Sequence, residues 1–295
     1  MTSRVFPVCD YDLAVTLSSG QTFRWQLRGS WWEGVISGRW VRLRAEPEPQ
    51  IGGHQPPSAI VAETAMPVSD WGWLADYLQV EQDLARVLAS FPGDEPMRAA
   101  VAACRGLRLL RQDPWECLAS FVLSSTKRIA QIQQIVVRLC EQFGEQVIVP
   151  PNHPPVYSFP GPGCIAAAGE SELRACKMGF RAPNLRAAAQ MVAAGEVDLN
   201  RLSALSVSEA RAALMRLPGV GRKIADCVLL FAYGFQDAFP VDVWVMKALR
   251  RLYFPRRRAS LKRLQKFTGT HFGPYAGYAQ QYLFHYARVH AKLKA

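Results

Sequence analysis

Several features that mark common protein classes are missing from this sequence of 295 residues. No apolar run reaches the roughly 18 residues that a membrane-spanning helix needs, so we expect no membrane span. The first residues, MTSRVFPVCDYDLAV, lack a basic segment followed by an apolar core, so we expect no signal peptide. These absences predict an intracellular protein, in the cytoplasm or nucleoid of a bacterium or in the nucleus of a eukaryote.

Cysteines at metal-binding spacing are also lacking. The seven cysteines form no CxxC motif and no cluster with histidine, so we expect neither zinc nor another metal ligand set. Their number is odd and most lie in apolar helical patterns, which is typical of reduced, buried thiols inside the cell. They are Cys9, Cys104, Cys117, Cys140, Cys164, Cys176 and Cys227.

Acidic residues are few beside the basic ones. The sequence has 24 Asp and Glu against 35 Lys and Arg, a net charge of +11. An excess of this size favours a polyanionic partner, nucleic acid before a membrane surface. The alternative is charge that serves general solubility, and charge alone does not separate the two. With 49% hydrophobic residues the chain can bury a full core, and its length allows two domains.

The first hundred residues predict an antiparallel sheet with helices packed on it. Residues 13–45 are predicted to be β, with three runs, QTFRWQL, WWEGVI and WVRLRA, separated by the turn signals RGS and SGR. Prolines and adjacent glycines predict a loop at 46–57, and a short apolar run follows at 59–62. Three helices are predicted next, in SDWGWLADYL, EQDLARVLASF and EPMRAAVAAC.

From Asp113 onward the sequence predicts one helix after another. In DPWE, Asp113 is suited to cap a helix and Pro114 to occupy its first position. Helices are predicted from 113 to 124 and, after a hairpin at SSTK, from 128 to 144, then beyond a Pro-rich loop (150–163) at 170–176, 183–194, 206–216, 242–253 and 275–293. The expected fold class is therefore α+β, with an N-terminal antiparallel sheet domain at 1–105 and an all-helical domain at 106–295.

The most informative stretch is LPGVGRKIADC, residues 217–227, which joins two predicted helices. We expect Gly219 and Gly221 to permit a tight turn, because residues with a Cβ resist positive φ. Such a turn directs backbone N–H groups outward at a helix start, which suits a phosphate. Lys223 lies in the first helical turn, where the dipole disfavours a cation, so it should lose its proton more easily and act as a nucleophile. The alternatives are an ordinary interhelical turn and a solvated surface lysine.

Together with FPVDVW at 239–244, this stretch resembles the helix–hairpin–helix DNA glycosylase superfamily, with the hairpin at 206–235. Within it the chain resembles the 8-oxoguanine DNA glycosylase/AP lyases, through motifs spread over nearly its whole length. They are SGQTFRW at 19–25, LLRQDPWECLASFVLSS at 109–125, KMGFRAPN at 177–184 and FGPYAGYAQQYLF at 272–284. The resemblance implies a monomeric base-flipping enzyme that excises oxidised guanine from double-stranded DNA and cleaves at the abasic site. It implies no cofactor, although a monovalent or divalent cation can sit at such hairpins.

The resemblance implies two catalytic residues. Lys223 would attack the sugar C1′ and form a Schiff base that permits β-elimination. Asp242, 19 residues later, would stabilise the cationic sugar of the transition state, and at a helix start it should stay ionised. A helix N-cap is the alternative role for Asp242, and the two roles are compatible. Gly219, Val220 and Gly221 would offer backbone N–H groups to a DNA phosphate.

The resemblance also implies a pocket for the flipped base. Cys227 and Phe284 would sandwich the base, and Gln280 would read its Watson–Crick edge. Gly20 matches the glycine whose carbonyl accepts the N7–H present in 8-oxoguanine and absent from guanine. The spacings support this, since Cys227 follows Lys223, and Phe284 follows Gln280, by one helical turn. Taken singly, these residues are explained equally well as core, surface or turn residues.

Phe180 and Arg181 match a side chain that wedges into the duplex and an arginine that contacts the opposite base. Core packing at a loop is the alternative for Phe180, and base flipping requires some wedge because unstacking is unfavourable.

The chain departs from the family pattern at two places. Eukaryotic members carry a run of asparagines where this chain has Thr126, Lys127 and Arg128, so the preference for cytosine opposite the lesion does not carry over. Trp244 stands where a histidine that contacts phosphate is common, so packing is the alternative role for Trp244.

Three other functions compete with this interpretation. A glycosylase for alkylated or deaminated purines often keeps the aspartate but lacks the lysine, which Lys223 argues against. The iron–sulfur branch needs four cysteines near the C-terminus, and only Cys227 lies beyond residue 176, so no cluster is expected. A non-enzymatic damage-sensing module would not need Lys223, Asp242 and the pocket residues together.

Overall fold

The computed structural model describes residues 1–47, 58–124, 128–256 and 259–289. Its sheet has five antiparallel strands in the order β1-β5-β4-β3-β2. The strands are β1 (Thr2–Val8), β2 (Gln26–Arg28), β3 (Trp31–Ile36), β4 (Arg39–Pro47) and β5 (Ser58–Thr64). An antiparallel sheet followed by a long helical region confirms the predicted α+β class.

The strand prediction was wrong at two places near the N-terminus. The edge strand β1 was missed, although it pairs with β5 along its whole length, from Thr2 opposite Thr64 to Val8 opposite Ser58. Residues 13–18 form helix α1 (Leu13–Ser18) instead of a strand, because the Asp12 carboxylate accepts the Val15 N–H at 2.8 Å and caps it. The run QTFRWQL contributes only Gln26 and Leu27 to β2.

One face of the sheet packs against the next helix, α2 (Gly72–Leu78). Leu43 and Ile60 of the sheet and Leu74 and Leu78 of α2 are buried in this core. The following helices, α3 (Leu84–Ala89) and α4 (Glu95–Ala103), bury Leu84, Val87, Met97 and Ala100 in the core of the helical region instead. The division of the chain at residue 105 stays a prediction.

The second half is helical, as predicted, but two α-helices were missed: one at 162–167, which begins at the end of the predicted Pro-rich loop, and one at 261–271. The helices are α5 (Pro114–Leu123), α6 (Ile129–Phe143), α7 (Pro162–Ala167), α8 (Glu170–Leu173), α9 (Ala182–Ala193), α10 (Val207–Leu214), α11 (Arg222–Val228), α12 (Val243–Tyr253), α13 (Leu261–His271) and α14 (Ala276–Val289). A π-helical turn, Leu229–Tyr233, continues α11. Most of the SSTK hairpin, most of the 46–57 loop and the end of the last predicted helix lie outside the described residues. Among the residues that the structure describes, no helix is both long and apolar enough to cross a membrane.

Helix α14 approaches the loop after α11 very closely through Gly277. A Cβ at this position would lie 2.2 Å from Leu230 Cδ1 and 2.8 Å from the Ala238 carbonyl oxygen. The Gly277 N–H also donates to the Gln236 carbonyl at 2.7 Å. This approach holds α14 against the segment that follows α11, and both helices line the cavity described below.

We expect Gly277→Ala to lower the free energy of unfolding by about 1–3 kcal/mol, because backbone atoms around the new methyl cannot move aside. Gly269→Ala in α13 is the matched control, since nothing lies within 4 Å of its Cβ position. That control should be stabilised by about 0.5–1 kcal/mol, as a helix-interior glycine replaced by alanine. Urea denaturation of both variants measures the difference, and equal effects would contradict the close approach.

Candidate active site

A cavity of about 400 Å³ lies where α5, α6, α11, α12 and α14 meet the end of α1. Its volume lies within the range of about 300–1,000 Å³ that is typical of ligand pockets. Residues far apart in the sequence line it together. Those among the predicted site residues are Gly20, Arg128, Lys223, Cys227, Asp242, Trp244, Gln280 and Phe284.

Lys223 is the second residue of α11, after the N-cap Gly221, and so lies in the first helical turn as predicted. Its Nζ donates to Ser124 Oγ at 3.2 Å and lies 5.1 Å from the centre of the Phe121 ring. The Ser124 hydroxyl donates in turn to the Phe121 carbonyl at 2.6 Å, which leaves its lone pairs for Lys223. A hydroxyl and an aromatic face at the end of α5 therefore position the half-buried amine.

Asp242 is the N-cap of α12, and its Oδ1 accepts the Val245 N–H at 2.7 Å. Burial raises the pKa of this carboxyl above its ordinary value, while the Val245 N–H, the Lys223 charge and the Trp244 N–H lower it. The N–H groups at the helix start thus lower the pKa as predicted, but burial is the larger effect and raises it overall. Ionisation of Asp242 stays a prediction. Asp242 therefore caps α12 and also lines the cavity that contains Lys223.

Cys227 and Gln280 form buried parts of the cavity wall. Burial raises the pKa of the Cys227 thiol to about 12, so this side chain is neutral at pH 7 and packs as an apolar group. Gln280 is only 4% exposed, and its Oε1 has no hydrogen-bond partner in the part of the chain that the structure describes. Phe284, one turn further along α14, is half-buried at the same cavity.

Gly20 reaches the cavity from the N-terminal end of the chain. Its φ is +88°, and an added Cβ would lie 2.6 Å from Ile129 Cδ1 and 3.3 Å from Phe284 Cε1. Both the backbone conformation and the lack of space therefore require glycine at this position. The structure thus brings Gly20 against the aromatic ring with which it was grouped from the sequence.

The hairpin differs from the prediction at two of its three residues. Gly219 has a φ of +80°, as expected for the tight turn, but Gly221 has an ordinary extended conformation with φ −92°. The steric argument for glycine therefore applies only to Gly219. The Val220 N–H donates to the Leu217 carbonyl at 3.1 Å and its side chain is buried, so this N–H is used within the turn. Of the three predicted donors, at most Gly219 and Gly221 remain for a phosphate.

Phe180 and Arg181 lie away from the cavity, and their environments differ sharply. Phe180 is 63% exposed, which rules out core packing for its ring. Arg181 is only 3% exposed, its guanidinium lies 4.2 Å from the Phe180 ring centre, and Nη1 donates to the Met178 carbonyl at 3.4 Å. The guanidinium is covered in this conformation, and the contact of Arg181 with an opposite base stays a prediction.

The two departures from the family pattern fall at the cavity rim. Arg128 is exposed and lines the cavity, whereas Thr126 and Lys127 lie outside the described residues. Trp244 is half-buried at the cavity, and Lys247 Nζ lies 5.6 Å from the centre of its ring.

Sequence reasoning missed four residues that shape the site. Phe121 and Ser124 position Lys223, and Gln281 and Arg288 bind the segment that carries Gly20. Two of them had a usable signal, since Gln281 follows Gln280 directly and Arg288 lies one turn after Phe284. Ser124 and Phe121 had no such signal, because the residue that they contact, Lys223, lies 99 residues beyond Ser124.

No group of three or more His, Cys, Asp or Glu side chains within the described ranges is placed to hold a metal ion. A cation at the hairpin stays a prediction.

The comparisons with known proteins agree with this geometry. Residues 5–118 match the N-terminal domain of 8-oxoguanine DNA glycosylase, and residues 119–269 match the HhH-GPD superfamily of base excision DNA repair proteins. The second match covers more than half of the chain. The chain therefore belongs to the HhH-GPD superfamily and, within it, to the 8-oxoguanine DNA glycosylases.

Individual relatives are similar over nearly the whole chain. The N-glycosylase/DNA lyase OGG1 of Arabidopsis thaliana is 32% identical over 96% of this chain and 80% of its own. A probable N-glycosylase/DNA lyase of Methanothermobacter thermautotrophicus is 28% identical over 96% and 95% of the two chains. The crystal structure of the Clostridium acetobutylicum 8-oxoguanine glycosylase/lyase, bound to duplex DNA with cytosine opposite 8-oxoguanine, matches with a TM-score of 0.84. It is 29% identical and covers 94% and 92% of the two chains.

The hairpin geometry predicts different effects for its two glycines. Gly219→Ala should lower the free energy of unfolding by about 1–2 kcal/mol, because φ is +80° and the new Cβ would lie 3.0 Å from Asn184 Cβ. Gly221→Ala should lower it by only about 0.5 kcal/mol, because alanine is a poorer N-cap than glycine but φ is ordinary and the Cβ position is open. Chemical denaturation tests this, and a loss at Gly221 as large as that at Gly219 would contradict it.

Proposed function

We propose that this protein is a bifunctional DNA glycosylase and AP lyase that flips 8-oxoguanine out of duplex DNA, excises it and cleaves the strand at the abasic site. The observation that carries the proposal is the meeting of Lys223 and Asp242 at one cavity with the four predicted base-pocket residues. The substrate is double-stranded DNA containing oxidised guanine, the enzyme acts as an intracellular monomer, and it needs no cofactor. A cation at the hairpin would have a structural role only.

Lys223 is the proposed nucleophile. Its neutral amine attacks C1′ of the sugar, the C1′–N9 bond breaks, and the base leaves with the bonding electrons and takes up a proton. Loss of the ring oxygen from C1′ then gives the Schiff base between Nζ and the opened sugar. Removal of a C2′ proton breaks the C3′–O bond, so the strand is cleaved with the phosphate as leaving group. Ser124 and Phe121 support this role because they hold Nζ at the cavity.

Asp242 is the proposed electrostatic partner of the sugar. As the base departs, positive charge develops on C1′ and the ring oxygen, and a carboxylate at the cavity stabilises that charge. Partial burial strengthens the interaction because less water screens it. The same burial opposes ionisation of Asp242, so the helix start and Lys223 are needed to keep the carboxylate available.

The base pocket is proposed from four residues. The Cys227 thiol and the Phe284 ring pack on the two faces of the base. Gln280 reads the Watson–Crick edge, and its buried, unpaired Oε1 supports this, because a buried acceptor without a partner is unfavourable until a donor such as guanine N1–H binds. The Gly20 carbonyl accepts the N7–H that only the oxidised base carries.

The proposed DNA contacts lie at the hairpin, at Phe180 and at the cavity rim. Gly219 and Gly221 offer N–H groups to a backbone phosphate, and the open space at Gly221 lets the phosphate approach closely. The exposed Phe180 serves as the wedge that enters the duplex when the base is flipped out. Arg128, with Thr126 and Lys127, contacts the partner strand, and Trp244 packs at the rim of the cavity.

The decisive experiment is trapping of the Schiff base with borohydride on a duplex that contains 8-oxoguanine opposite cytosine. We expect a covalent protein–DNA adduct with the wild-type protein and none with Lys223→Gln, because a glutamine amide cannot form the imine. Denaturing gel electrophoresis detects the adduct and the cleaved strand.

Lys266→Gln is the matched control, an exposed lysine in α13 that should trap as the wild type does. A wild-type protein that neither traps nor cleaves would refute the lyase function. Adduct formation only with an alkylated or deaminated purine would favour the rival glycosylase function.

Asp242 can be tested separately from its structural role as a helix cap. Asparagine caps as well as aspartate does, and it avoids burying a charge, so Asp242→Asn should have a free energy of unfolding equal to or above that of the wild type. Base excision should nevertheless fall by about 100- to 1,000-fold. Thermal denaturation and single-turnover excision measure the two effects.

The pH dependence of excision provides a further check on Asp242. The reaction needs its ionised form, so the rate should fall as the pH decreases through a pKa that lies above the ordinary aspartate value. This acid limb should disappear in Asp242→Asn. A limb that persists in this variant would assign the titration to another group, and a variant that unfolds would favour a purely structural role.

A further inference from the structure

We propose that Gln281 and Arg288 are positioning residues for base recognition, because together they clamp the segment Ser18–Gln21 to α14 and thereby set the position of Gly20. The inference rests on the proposed function, since it concerns the placement of a group that this function uses. It assigns a role in discrimination between 8-oxoguanine and guanine to two side chains on the last described helix.

Both side chains bind the same backbone carbonyl. Gln281 Nε2 donates to the Ser19 oxygen at 3.2 Å, and Arg288 Nη1 donates to it at 3.3 Å. Arg288 Nη2 also donates to the Ser18 oxygen at 2.8 Å. Gln281 is 2% exposed and Ser19 is fully buried, so the bonds to Ser19 are largely shielded from competing water.

The residue after Gly20 is held from the other side. Gln21 is fully buried, and its Nε2 donates to the Thr16 oxygen at 3.0 Å and to the Arg108 oxygen at 2.8 Å. Its Oε1 accepts the Leu110 N–H at 2.8 Å. The Gly20 carbonyl belongs to the planar peptide unit that joins Gly20 to Gln21. With Ser19 and Gln21 both held, that carbonyl has little freedom to move.

Arg288 also joins this clamp to the aromatic wall of the cavity. Its guanidinium lies 5.8 Å from the centre of the Phe284 ring. A Cβ added to Gly20 would lie 2.9 Å from Arg288 Nη1, which shows how closely the two residues pack. Arg288 therefore contacts both the segment that carries Gly20 and the Phe284 ring, and so links the position of the carbonyl to that of the ring.

This placement matters because oxidised and normal guanine differ at N7. In 8-oxoguanine N7 carries a hydrogen and donates, whereas in guanine N7 is an acceptor and faces the carbonyl oxygen with a lone pair. A carbonyl held at hydrogen-bond distance binds the first base and disfavours the second, but a mobile carbonyl can retreat from the mismatch. Because the clamp holds the carbonyl in place, the hydrogen on N7 decides whether the base is bound favourably.

The shared carbonyl predicts a specific pattern among variants. After either single substitution the Ser19 oxygen keeps one of its two donors. Only the double substitution leaves this buried oxygen without the clamp, so the loss in the double variant should exceed the product of the two single losses. If the two residues acted independently, the loss of excision in the double variant would equal the product of the two single losses.

The test uses Gln281→Leu, Arg288→Met and the double variant in the full chain. Three quantities are measured: single-turnover excision at 8-oxoguanine opposite cytosine, strand cleavage at a preformed abasic site, and affinity for a duplex with a tetrahydrofuran abasic analogue. Excision should fall about 3- to 10-fold in each single variant and more than 100-fold in the double variant. The two abasic readouts contain no base to recognise and should stay within about twofold of the wild type.

Arg98→Met is the matched control, because Arg98 is an exposed arginine that also donates to a backbone carbonyl, that of Gly93, and does not line the cavity. Unchanged excision in the double variant would overturn the clamp, and so would an equal loss in all three measurements, which marks general structural damage. A wild-type protein that cleaves abasic sites but excises no 8-oxoguanine would instead contradict the proposed substrate.

Discussion

The structure depends on holding a cationic and an acidic side chain together at one partly buried cavity. Lys223 and Asp242 each stand at the start of a helix, and the two helix starts open on the same space. Burial opposes the charge on Asp242 and raises its pKa, so the N–H groups of α12 and the nearby lysine must offset that effect. The hydroxyl and ring at the end of α5 position the Lys223 amine at the same cavity. Such an arrangement is unfavourable for stability and is typical of a site where charge has a chemical use.

The remaining elements bring the walls of the cavity to this pair. Helix α14 carries Gln280 and Phe284, and it packs closely on the segment after α11 because Gly277 has no side chain. The sheet region contributes through the segment at the end of α1, where Gly20 meets the last described helix. The cavity wall thus draws on both ends of the chain.

Helices were more predictable than strands for a physical reason. DPWE, the glycine after Phe143 and the 3.6-residue pattern of α6 are local signals, and each stands where the structure has a helix boundary or a buried face. Strand β1 lacks a local signal of that strength, because its pairing with β5 joins residues about 60 positions apart. Residues 13–18 were misassigned because Asp12 acts as a cap only once the segment turns, and apolar residues there suit a strand as well.

The sequence by itself determined the chemistry: a lysine after a glycine turn, an aspartate before a helix, and motifs in an order typical of one enzyme family. Only the tertiary structure decided which groups are accessible. It covered Arg181, exposed Phe180, used the Val220 N–H within the turn and raised the pKa of Asp242 by burial. It also placed Gln281 and Arg288 on a carbonyl more than 260 residues away. Residue type and spacing specify what a side chain can do, whereas burial and long-range hydrogen bonds depend on neighbours that only the folded chain brings together.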